Sequence, residues 1–200
     1  MNKPLFITGI GTGIGKTIVS AILVESLKAD YWKPIQSGDL DNSDTLSVQN
    51  LVSNTKSVFH AEAYRLTQPF SPHKSAALDG IEIDPSTIKI PKTDNTLIIE
   101  GAGGLMVPLN DSFLMIDLIG QLAAEVILVV KHYLGSINHT LLSLEALHRR
   151  NIPIKALIFN GEANESSEEV IKRFANCRTL SIPDIQYITK ENIAGIKIEL

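Results

Sequence analysis

Short apolar segments alternate with longer amphipathic segments along this chain. The apolar segments predict strands over residues 5–8, 31–35, 96–99, 125–130 and 156–159. The amphipathic segments predict helices over residues 16–28, 115–124, 137–150 and 166–175, the last with Ser166 and Glu169 at capping-box spacing. The strands are uniformly apolar, as expected when helices cover both faces of a parallel sheet. We therefore predict an α/β fold with a doubly wound, mostly parallel sheet and helices on both faces.

Polar or glycine-rich residues follow nearly every predicted strand. The first three strands lead into GIGTGIGKT, KPIQSG and EGAGG, and the last two end at Lys131 and at Asn160. Ligands of open parallel sheets bind outside the carboxyl ends of the strands. Because all five ends lie on that edge, the pattern predicts one shared site.

Residues 9–17 have the features of a phosphate-binding loop. They follow a strand and open a helix, which is the context that this motif requires. The glycines let several backbone N–H groups point at phosphate oxygens, and the helix N-terminus adds a partial positive charge. Lys16 is expected to reach the terminal phosphates and the Thr17 hydroxyl to bind Mg²⁺. Ile10 stands where the strict motif has glycine, so the loop is a variant of it.

The residues of this loop also allow two other interpretations. A glycine-rich turn could simply close the helix onto the sheet. GIGTGIG also contains the GxGxxG pattern of dinucleotide-binding loops. The adjacent Lys16 and Thr17 favour a nucleoside triphosphate over both.

Two acids and a lysine near the second and third strand ends add to the predicted site. Glu100 ends an apolar strand, which is the Walker B arrangement. Lys33 and Asp44 follow the second strand. Taken singly, each of these residues could be solvated or could cap a turn. Together with Thr17, however, the two acids offer the oxygen ligands that a hard cation such as Mg²⁺ prefers.

Composition narrows the class of protein further. The chain has 200 residues, of which 44% are hydrophobic and 20% charged, as is typical of a globular protein, and we expect residues 1–200 to form one domain. Its net charge of −4 argues against nucleic-acid or membrane-surface partners. One cysteine, Cys177, excludes an intramolecular disulfide and a multi-cysteine metal site. The sequence lacks a signal-peptide pattern and a long apolar run, so we expect a cytoplasmic protein.

The motifs together resemble those of the dethiobiotin synthetases. GTGIGKT, KPIQSG, NSD, SPHKSA, EGAGG, LGSINHTLL and the strand end at Asn160 occur in the order and approximate spacing of that family. The match spans residues 5 to about 160, with a looser match at 181–183. The resemblance implies a P-loop NTPase-like fold and a homodimer with its sites at the interface. It also implies ATP and Mg²⁺ as co-substrate and cofactor.

The activity that the resemblance implies is ring closure in biotin biosynthesis. The substrates would be 7,8-diaminononanoate (diaminopelargonic acid), CO₂ and ATP, and the products dethiobiotin, ADP and phosphate. One substrate amine would take up CO₂ as a carbamate, which would attack the γ-phosphate. The second amine would then close the ring on the resulting carbamic–phosphoric anhydride.

The resemblance also implies roles for individual residues. The catalytic residues would be Lys33, Lys16 and Thr12. The nucleotide-binding residues would be Gly11, Thr12, Gly13, Ile14, Gly15, Lys16, Thr17, Ile18, Asp44, Glu100, Gly101, Gly103, Asn160 and Pro183. The substrate-binding residues would be Thr12, Lys33, Ser37, Gly135, Ser136, Ile137 and Asn138. The metal ligands would be Thr17, Asp44 and Glu100.

The chain departs from the family pattern at three places. Gly13 stands where many members have an acid, Gly161 follows Asn160 where an aspartate is common, and the segment after Ser181 is short. Two other families share part of the pattern. Partition and iron-protein ATPases carry a lysine where this chain has Gly11, and they lack KPIQSG with GSINH. Cobyrinate-type amide synthetases add a glutaminase domain, for which 200 residues leave no room.

Overall fold

The computed structural model describes residues 3–200, which form nine strands and seven α-helices. The strands are β1 Leu5–Gly9, β2 Asp30–Trp32, β3 Ile35–Ser37, β4 Phe59–His60, β5 Tyr64–Leu66, β6 Leu97–Gly104, β7 Glu125–Val130, β8 Ile154–Asn160 and β9 Thr179–Ile182. The helices are α1 Lys16–Leu27, α2 Asp44–Leu51, α3 Pro72–Leu78, α4 Met115–Gln121, α5 Ser136–Arg149, α6 Glu165–Phe174 and α7 Lys190–Gly195. No helix within residues 3–200 has the length and apolar character to cross a membrane.

Seven of the strands form one parallel sheet in the order β4-β2-β6-β1-β7-β8-β9. After β1, the strands β2, β4 and β6 all lie on one side of β1 in the sheet. The later strands β7, β8 and β9 lie on its other side. The strand order therefore reverses beside β1, which is the position where open α/β sheets bind ligands. Strands β3 and β5 form a second, two-stranded parallel sheet.

Both faces of the main sheet are covered by helices, as the uniformly apolar strands predict. Neighbouring residues of a strand point to opposite faces. Phe6 and Ile99 belong to the core beneath α4, α5 and α6, whereas Ile7 and Ile98 belong to the core beneath α1, α2 and α7. The doubly wound α/β prediction is confirmed.

The strand predicted over residues 31–35 is present as β2, but it ends earlier than predicted, because the chain leaves the main sheet after Trp32. Pro34 has no N–H to donate to a sheet ladder. Its carbonyl accepts hydrogen bonds from the N–H groups of Ala63 (2.9 Å) and Tyr64 (3.0 Å), which guides the chain into the second sheet. This break releases Lys33 from the ladder and turns it towards the carboxyl edge of the main sheet.

Two other local predictions are also corrected. The third strand continues beyond the predicted residue 99 to Gly104, so that EGAGG lies within β6. Helix α6 begins at Glu165, where the Asn164 side chain caps it by accepting from the Ser167 N–H. The capping box predicted from Ser166 is therefore wrong.

Candidate active site

The loop between β1 and α1 has the backbone geometry of a phosphate-binding loop. Gly13 (φ 72°) and Gly15 (φ 88°) both adopt the left-handed conformation that favours glycine. A Cβ atom on Gly15 would collide with the Asn160 side chain. Lys16 Nζ donates to the Gly11 carbonyl at 3.1 Å, so its ammonium group lies over the loop. Within the described part of the chain no side chain caps the N-terminus of α1, so its first N–H groups are available to an anion.

A cluster of four side chains lies beside this loop. Lys33 Nζ is 2.6 Å from Asp44 Oδ2 and 3.4 Å from Glu100 Oε1. Thr17 Oγ1 is 3.1 Å from Asp44 Oδ1 and 3.0 Å from Glu100 Oε1. We call Thr17, Lys33, Asp44 and Glu100 the edge cluster. The structure thus brings together residues that the sequence separates by more than 80 positions.

Charges within the edge cluster stabilise one another. Burial alone would lower the pKa of Lys33, but Glu100 and Asp44 outweigh that effect and raise it, so Lys33 is an ammonium ion at neutral pH. Burial would likewise raise the pKa of Asp44, yet the neighbouring Lys33 holds it below its usual range. Burial lowers the pKa of Lys16, with partial compensation by Glu100. The site therefore concentrates two lysines and two carboxylates in a largely buried space.

Backbone features hold Asp44 in the edge cluster. Asp44 is the first residue of α2, and the preceding Ser43 caps that helix by accepting from the Leu46 N–H. The Asp44 N–H donates to Gln36 Oε1 at 3.3 Å, and Gln36 in turn donates to the Gly38 carbonyl at 2.9 Å. Gln36 was not predicted as a site residue, although its place in the KPIQSG motif could have indicated it.

Two buried hydroxyl groups behind Glu100 also escaped sequence analysis. Ser20 Oγ donates to Glu100 Oε2 at 2.7 Å, and the Tyr31 hydroxyl donates to the same oxygen at 3.0 Å. Burial and the neighbouring Glu100 raise the pKa of Tyr31 well above its usual value, so the phenol keeps its proton. Helical spacing from Thr17 could have indicated Ser20, since residues three apart share a helix face.

The edge cluster also fits the oxygen chemistry of a magnesium ion. Thr17 presents a hydroxyl that lies within hydrogen-bond distance of both the Asp44 and the Glu100 carboxylate. No group of three His, Cys, Asp or Glu side chains arranged to hold a metal occurs within residues 3–200. Mg²⁺ is commonly held by one or two carboxylates with substrate phosphates and water completing the shell, so the donor set is suitable for it.

Three residues that were predicted to bind substrate or nucleotide differ in their surroundings. Ser37 Oγ, predicted to bind substrate, is buried and lacks a hydrogen-bond partner within the described chain, so its hydrogen-bonding capacity is unused. Thr12 is exposed, and a Cβ on Gly103 would lie 3.8 Å from its hydroxyl. Gly101, in contrast, packs against the ring of Phe6 in the sheet, and a side chain there would collide with that ring.

Several of the predicted nucleotide-binding residues meet in a small cavity. It has a volume of about 160 Å³ and includes Gly15, Ile18, Asn160 and Pro183 in its wall. Asn160 Nδ2 donates to the Ile14 carbonyl at 2.9 Å, which leaves the amide oxygen as the remaining polar atom of this side chain.

The segment after β7 borders a larger cavity of about 740 Å³. Gly135, Ser136 and Ile137 line it, and Lys131 lines both this cavity and the smaller one. Helix α5 begins at Ser136, and no side chain of residues 3–200 caps its N-terminus. Asn138, the residue after Ile137, lines a separate surface depression.

Comparisons with known proteins agree with the fold and the motifs. A family model described as an AAA domain matches residues 3–192. A ParA family ATPase from Chlorobium tepidum has a TM-score of 0.57 and 14% identity, covering 96% of this chain and 89% of its own. A MinC:MinD cell division protein complex from Aquifex aeolicus gives a TM-score of 0.56 at 15% identity, covering 96% and 86%. Both are similar to this chain in fold.

Two curated relatives are much more similar in sequence. The ATP-dependent dethiobiotin synthetase BioD of Christiangramia forsetii is 54% identical over 180 residues, covering 90% of this chain and 86% of its own. The protein of the same name from Cytophaga hutchinsonii is 48% identical over 200 residues, covering 99% and 97%. The resemblance drawn from the motifs is thereby confirmed: the chain belongs to the family of ATP-dependent dethiobiotin synthetases.

Proposed function

We propose that this protein closes the ureido ring of dethiobiotin from 7,8-diaminononanoate, CO₂ and ATP, with release of ADP and phosphate, as a step in biotin biosynthesis. The names of its relatives support the activity. The observation that carries the proposal is the buried Lys33 ammonium, which lies between Asp44 and Glu100 at the same sheet edge as the phosphate-binding loop.

The reaction requires cations between two anionic reactants. One substrate amine adds to CO₂ and loses a proton, which gives a carbamate. A carbamate oxygen then attacks the γ-phosphorus atom, and the bond from that phosphorus to ADP breaks. Lys16 and Lys33 offset the repulsion between carbamate and phosphate, and both are fixed before the reactants arrive.

Thr17, Asp44 and Glu100 would hold Mg²⁺, which when bound supplies positive charge to the phosphate oxygens of ATP. The glycine-rich loop and the N-terminus of α1 bind the phosphates through backbone N–H groups. The Asn160 amide oxygen and Pro183 contact the purine in the smaller cavity.

Ring closure follows from the position of the second amine. This amine attacks the carbon of the carbamic–phosphoric anhydride, the bond from that carbon to the phosphate oxygen breaks, and a proton leaves the nitrogen. Ser37 and Thr12 orient the diamine, because the Ser37 hydroxyl has no hydrogen-bond partner within the described chain and Thr12 is exposed on the phosphate-binding loop. The N–H groups at the start of α5 bind the substrate carboxylate.

We further propose that residues 1–200 act as one catalytic domain, that the enzyme is a cytoplasmic homodimer, and that the dimer interface lies at the segment after β7. Tyr133 and Leu134, directly before Gly135, are neighbouring apolar side chains that are both exposed. An exposed apolar patch beside a proposed carboxylate-binding segment supports an interface there.

The proposal is tested by measuring ADP release with and without each co-substrate, across a panel of nucleoside triphosphates. We expect release to depend on both 7,8-diaminononanoate and bicarbonate, and to be fastest with ATP. ATP hydrolysis at the same rate with and without 7,8-diaminononanoate and bicarbonate would refute the proposed reaction.

A further inference from the structure

The two carboxylate oxygens of Glu100 have different partners. Oε1 faces the edge cluster, where it accepts from Thr17 at 3.0 Å and lies 3.4 Å from Lys33 Nζ. Oε2 points away from that cluster and accepts from Ser20 at 2.7 Å and Tyr31 at 3.0 Å. Glu100 is 1% exposed, and Ser20 and Tyr31 are 0% exposed. Water therefore does not compete for Oε2, and both of its hydrogen bonds come from the protein.

Helix α1 supplies one donor to each oxygen. Thr17 and Ser20 are three residues apart and lie one above the other on the same face of the helix. A serine inside a helix can instead donate to the carbonyl four residues earlier. In this helix the Ser20 hydroxyl donates to Glu100 and not to that carbonyl. Thr17 and Ser20, on one helix face, therefore hold both oxygens of the carboxylate.

Tyr31 supplies the second donor from the neighbouring strand. Strand β2 pairs with β6, and Tyr31 lies opposite Ile98, two residues before Glu100 and on the same face of the sheet. The Tyr31 ring packs near Phe59, with 6.1 Å between the ring centroids. The hydroxyl thus reaches Oε2 from a rigid, buried position.

We infer that Ser20 and Tyr31 are positioning residues that fix Oε2 of Glu100 and so reserve Oε1 for a divalent cation. The terminal torsion of a glutamate has a broad energy profile, so partners on one oxygen determine where the other one points. Groups that hydrogen-bond a metal ligand from behind change metal affinity by about 10-fold to 100-fold when they are removed. This inference rests on the proposed cation site of Thr17, Asp44 and Glu100.

The test uses Ser20→Ala and Tyr31→Phe, each of which removes one hydroxyl group with little change in volume. Mn²⁺ binding in the presence of ADP is followed by electron paramagnetic resonance, and ADP binding is measured separately with the metal chelated. Ser26→Ala is the matched control on the same helix, because Ser26 Oγ donates to the Ile196 carbonyl at 3.1 Å, remote from Glu100 in the chain. Tyr64→Phe is the control for losing a phenol hydroxyl, which in Tyr64 lies 3.0 Å from Thr87 Oγ1.

We expect both variants to raise the dissociation constant of Mn²⁺ by about 10-fold or more and to bind ADP without metal as tightly as the unmodified protein does. Both control variants should bind Mn²⁺ and ADP with the affinities of the unmodified protein. If Tyr31→Phe does not fold, Ser20→Ala alone decides the outcome. Mn²⁺ affinity within about twofold of the unmodified protein would overturn the inference, as would a parallel loss of metal-free ADP binding. An unmodified protein that binds no Mn²⁺ would instead overturn the proposed cation site, and the inference with it.

Discussion

Two buried acids on neighbouring strands of the main sheet have different surroundings. Asp30 begins β2 at the amino edge, opposite Leu97, whereas Glu100 lies further along β6 towards the carboxyl edge. Asp30 is 3% exposed and Glu100 is 1% exposed. Burial alone therefore does not distinguish an acid in a candidate active site from an acid in a structural one.

The partners of Asp30 tie loops together. Its carboxylate accepts from the Val58 N–H (2.9 Å), Thr93 Oγ1 (2.6 Å) and Asn95 Nδ2 (3.0 Å), and His60 Nε2 lies 3.3 Å away. These partners come from two segments, β4 with the residue before it and the loop before β6. Asp30 thus ties both segments to β2 at the amino edge.

The partners of Glu100 concentrate charge instead. A second acid, Asp44, and an ammonium group, Lys33, share its surroundings beside the phosphate-binding loop. Position on the sheet and the presence of further charged groups therefore mark the candidate site. We expect substitutions at the carboxyl edge to affect turnover and those at the amino edge to affect stability.

The largest expected effect is that of Lys33→Ala. Removing a fixed positive charge beside the reacting phosphate should reduce kcat by about 100-fold to 1,000-fold, while nucleotide binding is retained. Steady-state kinetics with 7,8-diaminononanoate and a separate nucleotide titration measure the two quantities. Lys155→Ala, on an exposed position of β8, is the control and should keep its kcat. Near-normal turnover in Lys33→Ala would remove Lys33 from the catalytic residues.

A smaller effect, on folding, is expected for Asp30→Asn. The neutral amide fails to satisfy three donors at once, and the loss of hydrogen bonds to a buried charge should lower the free energy of unfolding by about 3 kcal/mol. The melting temperature should fall by roughly 6–12 °C. The exposed Asp94→Asn is the control. A variant as stable as the unmodified protein, or one that is stable but inactive, would contradict the division between the two edges.

The pH dependence of stability should also differ between the two regions. Burial would raise the pKa of Asp30, but hydrogen bonds from Thr93, Val58 and Asn95 hold it below its usual value of 3.8. Asp30 therefore stabilises the fold above about pH 4 and loses this contribution as the pH falls further. The pKa of Lys33 is raised above 10.5, so its contribution is present below that pH and is lost only as the pH rises beyond it.

Denaturant unfolding of the unmodified protein and Asp30→Asn, from about pH 7 down to about pH 3, measures this difference. The two free energies of unfolding should converge as the pH falls. A constant gap over the whole range would show that the carboxylate charge of Asp30 does not contribute.

Long apolar segments and glycine-rich loops made much of the fold predictable. The strands around residues 5–8, 125–130 and 156–159 and the helices that follow them are confirmed, because apolar runs and helical periodicity are strong local signals. The short strands β4, β5 and β9 were not predicted. They contain two to four residues each, and their pairing depends on distant parts of the chain.

The candidate site was predictable only where residue type itself indicates chemistry. Lys33, Asp44 and Glu100 could be selected by charge and by position after apolar strands. Ser20 and Tyr31 look like ordinary core residues in the sequence, because their role depends on which side chain they meet across the sheet. The bend at Pro34 that turns Lys33 towards its acids is likewise a consequence of the second sheet.

In the proposed reaction, the edge cluster joins CO₂ to the diamine at the expense of ATP. The most direct measurement supplies [¹³C]bicarbonate with 7,8-diaminononanoate and ATP, and follows the product by mass spectrometry together with ADP. We predict dethiobiotin that carries the label in its ureido carbon, one ADP for each molecule formed, and no labelled product from Lys33→Ala above trace amounts. ADP formed without labelled product, or labelled product formed equally well without Lys33, would contradict the account.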